Sequence, residues 1–174
     1  VLLVAATLVL GIPLTQGLSS RRASATAADA AALAAAQEWS RGFERMQRSL
    51  EVADDAAFWA FPGRPVDAVP VPRLRSEAAD LAAANDADLI SLSLDARRLE
   101  VTVRVRMRDE AIPGTGIRME HAATADVDLR RGLCARSGRM GYLVGGSCLS
   151  TPQPAPPAVR PPLGAYRADV LLVR

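Results

Sequence analysis

The chain has 174 residues and a formal net charge of +2 at pH 7, and all 21 of its basic residues are arginines set among 19 acidic ones. That interleaving leaves no basic stripe for a phosphate backbone, and aromatic residues, at 4%, do not alternate with the arginines as a base-stacking platform requires. No nucleic-acid partner is expected.

From Val1 to Leu18 there is no charged side chain, and Gln16 is the one strongly polar residue. As a helix this run reaches about 27 Å, near the lower limit for crossing a hydrocarbon core of about 30 Å. Residues 1–20 therefore read as a transmembrane anchor in contact with a lipid bilayer. A kink is expected at Pro13, whose lost backbone hydrogen bond neighbouring groups can replace inside a bilayer. Val1 already lies within the run, so residues upstream of it, or an initiator read as valine, are expected. Two readings compete: a signal peptide cleaved at Ala23-Ser24-Ala25, which would release a secreted non-enzymatic binding domain, and a buried core helix. The anchor is favoured because helical sequence continues straight through the cleavage site. Arg21 and Arg22 oppose the positive-inside tendency if the C-terminal part is exported, so orientation is left open.

Between Ala23 and Leu50 only Gly42 weakens a helix-forming sequence. Trp39, Phe43, Met46 and Leu50 recur at spacings of four, three and four and so share a face, with Arg41, Glu44, Arg45 and Arg48 on the solvated side. Ahead of them alanine covers nearly every face, which permits close helix approach while burying little area per residue. Ala28, Ala31, Ala32 and Ala35 are the candidate helix-packing positions, a surface suited to like helices. Residues 21–61 thus read as an alanine-rich helical stem, ending in a continuation or a second short helix that carries Phe58, Trp59 and Phe61.

Residues 62–150 read as a short helix plus an antiparallel sheet. Pro62-Gly63 ends the stem, and Pro65, Pro70 and Pro72 keep the next stretch extended. Ser76 is the expected N-cap of a helix reaching about Ala84, with Asn85 as its stop. From Leu89 the period changes to two. Ile90, Leu92 and Leu94 alternate with Ser91, Ser93 and Asp95, and after a turn at Asp95–Arg98, Leu99, Val101, Val103, Val105 and Met107 alternate with polar residues rich in arginine. A third strand follows the Pro113-Gly114-Thr115-Gly116 turn, with Ile117, Met119, His121, Ala123, Ala125, Val127 and Leu129 on its apolar face. Its other face is mostly acidic, so arginines and acids are expected to meet across the pair. His121 reads as a core imidazole bonded to backbone.

Cys134 and Cys148 flank a glycine-rich loop, and a disulfide there would contribute about 3 kcal/mol in an oxidising compartment. The alternative is a pair of free, buried thiols. One histidine is too little to complete a two-cysteine zinc set, and no metal is expected. Residues 151–174 read as a proline-rich tether followed by a terminal strand, around Ala168–Val173, at the sheet edge.

Catalytic equipment is sparse. There is no Gly-x-Ser-x-Gly elbow, no His-Glu-x-x-His helix and no lysine for a phosphate loop, while Asp54-Asp55 and Asp126 with Asp128 read as surface carboxylates. No catalytic residue, cofactor or small-molecule substrate is expected.

The order of apolar segment, Arg22 and then Ala27-Ala28-Asp29-Ala30-Ala31 with Leu33 and Ala34 resembles the N-terminal region of TadE/TadG-like proteins. These are pseudopilin-type components of tight-adherence (Flp) pilus systems, and the likeness is to their actinobacterial relatives in particular. It covers about thirty residues, and the rest shares only the layout of a helix followed by strands. The resemblance implies an α+β, pilin-like fold with one membrane helix and an extracytoplasmic C-terminal domain. It also implies a role in pilus assembly or secretion beside other pilin-like or Tad subunits. The family's processing site, a glycine followed by an early glutamate, is missing from Val1–Leu18.

Overall fold

A computed structural model of the chain describes residues 2–69, 71–152 and 159–173, with side chains described from Ser19 onward. The fold is α+β: a long helix α1 (Leu2–Glu51), a short α2 (Asp55–Trp59), a 3-10 turn (Val66–Ala68) and α3 (Leu74–Ala83) precede seven strands. A four-stranded antiparallel sheet has the order β1 (Ala87–Asp95), β2 (Glu100–Glu110), β3 (Arg118–Arg131), β7 (Arg167–Leu172). A smaller sheet joins β4 (Leu133–Arg136), β5 (Arg139–Val144) and β6 (Ser147–Leu149).

Alanine, the best helix former, sustains α1, and Arg48 in its last turn complements the negative end of the helix. The next helix begins only where Asp54, extended, accepts a hydrogen bond from the Ala57 N–H. Trp39 and Phe43 are fully buried and Leu50 nearly so, Met46 is partly covered, and Arg41, Arg45 and Arg48 face solvent as the spacing predicts.

The alanine block corrects an expectation. Ala28, Ala31, Ala32 and Ala35 are all completely buried, in one core with Val101, Val103, Val105 and Ala125 of the large sheet and Ala78 and Ala82 of α3. They are packing positions, but what they pack on is this chain's own sheet and helix. Residues 24–50 therefore form the spine of the domain, and the boundary expected between a helical stem and a sheet domain does not exist.

Helix α1 and strand β3 run parallel, side by side. Met119 lies across a cleft from Ser19, Ser20 and Ala23, while Gly132, just past the other end of β3, abuts Gln47. Thirteen strand residues at about 3.3 Å and twenty-seven helix residues at about 1.5 Å both span roughly 40 Å, so the two elements keep pace.

Strands β2 and β3 alternate as predicted, with Val101, Val103, Val105, Ala125 and Val127 buried. Arg106 faces Glu120 directly, with Nε donating to Oε1 at 2.8 Å, and Thr102 meets Thr124 at 2.9 Å. Two side-chain assignments are corrected. A bulge at Ile90 shifts the register so that Leu89 and Leu92 oppose Val105 and Val103, leaving Ile90 exposed, while Leu94, opposite Val101 on the inner face, is exposed near the strand end. His121 does oppose Val105, but its side chain is exposed.

The short helix also differs. It starts at Leu74 with Arg73 as N-cap, so Ser76 lies inside the first turn and its hydroxyl donates to the Arg73 carbonyl. Asn85 does act as the stop, its side-chain amide donating to the Leu81 carbonyl. The turn expected at Asp95–Arg98 forms, with Asp95 Oδ1 accepting from the Arg97 and Arg98 N–H groups. The terminal strand pairs with β3 at the sheet edge.

Among the described residues no helix is long and apolar enough to cross a membrane. The span read over residues 1–18, and its kink at Pro13, lie outside the residues whose side chains are described, as do Pro70 and the tether residues 153–158.

Candidate functional site

The small sheet is built around a crossing. Cys134 on β4 and Cys148 on β6 form a disulfide with Cα atoms 5.8 Å apart, although β5 lies between their strands. Two strands flanking a third in a flat sheet stand about 9–10 Å apart, so this sheet is curled. Gly141, opposite Cys134, makes the curl possible: a Cβ there would stand 2.1 Å from the Leu149 carbonyl oxygen. Free thiols, the alternative, are absent.

Beneath the curl lies the aromatic centre. Tyr142 stacks on Phe58 at 4.3 Å, Phe61 adds a ring at 5.3 Å, and the Tyr142 hydroxyl donates to the Phe58 carbonyl at 2.7 Å. Burial pushes that hydroxyl well above the ordinary tyrosine range, against the opposing pull of Arg160 and Arg64. Arg160 lies 4.9 Å over the Phe58 ring and pairs with Asp55, so the described end of the proline-rich segment is laid on the domain. An apolar groove of about 550 Å³ beside it is lined by Trp59, Val144, Leu149, Val159, Pro161 and Pro162.

A second feature is a cleft of about 810 Å³ between α1 and the lead into α3, with Glu38 at its floor and Arg41, Arg45 and Arg73 around it. Glu38 is almost fully buried, and its two oxygens accept from Arg41 Nη1 and Arg45 Nη2 at 2.9 Å each. With both oxygens engaged, this carboxylate is an ionic latch rather than a poised base. The spacing of Glu38 to Arg41 and Arg45 was visible in the sequence, but nothing there marks Glu38 as buried.

The carboxylates that the sequence sets in pairs are placed as follows. Asp54 caps α2, Asp128 pairs with Arg130, and Asp126 has one buried oxygen, Oδ1, without a hydrogen-bond partner. Among the described residues no three His, Cys, Asp or Glu side chains gather as a metal set. What the geometry offers is a disulfide-tied, curled sheet and a latched helix, which make a rigid platform. No family model, curated protein or solved structure matches the chain.

Proposed function

We propose that the protein is a single-pass, membrane-anchored, pilin-like component of a Tad/Flp-type pilus-assembly or secretion system, with its C-terminal domain extracytoplasmic and a structural role. The observation that carries this reading is the placement of α1. The helix runs unbroken from Leu2 to Glu51, and among its described side chains the first buried one is Ser24, just after the apolar sequence Val1–Leu18 and the arginine pair. One element thus joins an apolar segment rigidly to the core of the folded domain. The disulfide suits an oxidising, exported setting.

Retention of the segment is supported over cleavage near Ala25, because cleavage would cut the spine of the domain and remove Ser24, which is buried. The four core alanines are unavailable to neighbouring subunits, so lateral assembly in this reading falls to residues 1–18, where small residues such as Ala5, Ala6 and Gly11 occur. The test is membrane fractionation with intact-mass measurement. Full-length chain in the membrane pellet is expected, and a form beginning near Thr26 in the medium would overturn the anchor. Crosslinking between cysteines placed singly within 1–18 tests assembly, and a result showing only monomer would overturn that part.

A further inference from the structure

We propose that the tip of the β2–β3 hairpin, residues 111–117, is a second membrane contact that inserts its isoleucines into the headgroup region beside α1. The proposal rests on the anchored reading above. Ile112 and Ile117 are 55% and 57% exposed on a tip closed by its own hydrogen bonds. The Ala111 N–H donates to the Ile117 carbonyl at 2.7 Å, the Thr115 hydroxyl to the Ile112 carbonyl at 2.6 Å, and the Gly114 N–H to Glu110 Oε2 at 2.6 Å. Gly114 and Gly116 take the positive φ angles of 78° and 72° that this turn needs. Two large apolar side chains are thereby presented rigidly, so little ordering entropy opposes their insertion.

Position selects the bilayer as the occupant. The base of the hairpin, at Met107, Glu110, Ala111 and Met119, faces Ser19, Ser20 and Ala23 across a cleft of about 200 Å³. Because β3 runs parallel to α1, stepping back from Met119 toward Pro113 moves past Ser19 in the direction of the apolar run. At about 3.3 Å per residue, Pro113 reaches as much as about 10 Å beyond Glu110. The tip therefore stands at the level where α1 would enter a membrane. Arg21, Arg22 and Arg118 are exposed at the same end and form no ion pair among the described residues, which suits anionic headgroups. Asp109 and Glu110 also lie there, with Glu110 bonded to the turn, so apolar insertion carries the contact more than charge does.

Since Cys134 and Cys148 are paired, Ile112→Cys in the full chain offers a single thiol for an environment-sensitive fluorophore. In phosphatidylethanolamine–phosphatidylglycerol vesicles, emission is expected to shift to the blue. Quenching by a headgroup-proximal spin-labelled lipid should be several-fold stronger than for the same label at Arg97→Cys, in the β1–β2 turn. Ile117→Cys should behave like Ile112→Cys, which guards against an effect of the label itself. A chain that floats with the vesicles while both tip labels stay as wet as the one at Arg97 overturns the tip contact and leaves the anchor standing. A chain that does not float overturns the anchor and the tip contact together. A blue shift that appears only when a second protein is added makes the tip a protein-binding surface and also overturns the proposal.

Discussion

Glu38 is the residue on which the helical part of the core is most exposed to error, since its side chain is only 3% accessible and is neutralised by two half-exposed arginines. Removing Arg41 or Arg45 alone leaves the other in place, and each is expected to cost no more than about 1 kcal/mol. Removing both strands a buried carboxylate, and the cost should rise to about 3 kcal/mol, a coupling that a double-mutant cycle in urea reads directly. Tyr166 is a second sensitive point, its hydroxyl 3.0 Å from Ser40 Oγ. Burial, the largest cause, pushes that hydroxyl up to about 12; the Ser40 hydrogen bond pulls it down and Glu44 adds to the rise. The folded protein therefore holds this proton more tightly than the unfolded chain does. The resulting stability is complete below about pH 10 and is lost as pH rises toward 12. Tyr166→Phe should flatten the fall in melting temperature over that window, with Tyr142 leaving a remainder in the same direction.

At the scale of elements, α1 and the small sheet make opposite demands on side-chain size. The alanines of α1 let the large sheet and α3 approach its backbone on two sides, so added methylenes have nowhere to go. Ala31→Leu is expected to lower stability by about 1–3 kcal/mol in denaturant titration, whereas a position facing a neighbouring subunit would leave the monomer unchanged. In the small sheet the disulfide ties β4 to β6 across a sequence separation of 14, and reducing it should cost up to about 3 kcal/mol. Hydrogen exchange should report that loss in β4–β6 before β1–β3, because the four-stranded sheet is held independently by α1. Period-two alternation located β2 and β3 correctly, since both faces of a regular pair follow from parity alone. Parity fails at Ile90, where one extra residue exchanges the faces and no local signal announces it.

At the scale of the molecule, Ser24 is the first buried residue among the described side chains, and the core cluster they form runs from Ala27 through the sheets. A chain lacking residues 1–18 is expected to retain its circular dichroism, its melting transition and the Cys134–Cys148 bond, and to leave the membrane fraction. Loss of the fold would show that the apolar segment belongs to the core instead.

The apolar run, the alanine helix, the strand periods, the turn at Pro113–Gly116 and the capacity for a disulfide were all legible in the sequence. Each depends on neighbours a few residues away, or on a pair of side chains with one available chemistry. What the alanines touch was not legible. A surface of methyl groups accepts any closely approaching backbone, and periodicity cannot tell a neighbouring helix from the chain's own sheet. Burial of Glu38, exposure of His121 and the curl over Gly141 were hidden for the same reason. They depend on how α1 lies against the sheet and on how β4 and β6 close over β5, which are distances between residues far apart in the chain. Tertiary structure alone decided them.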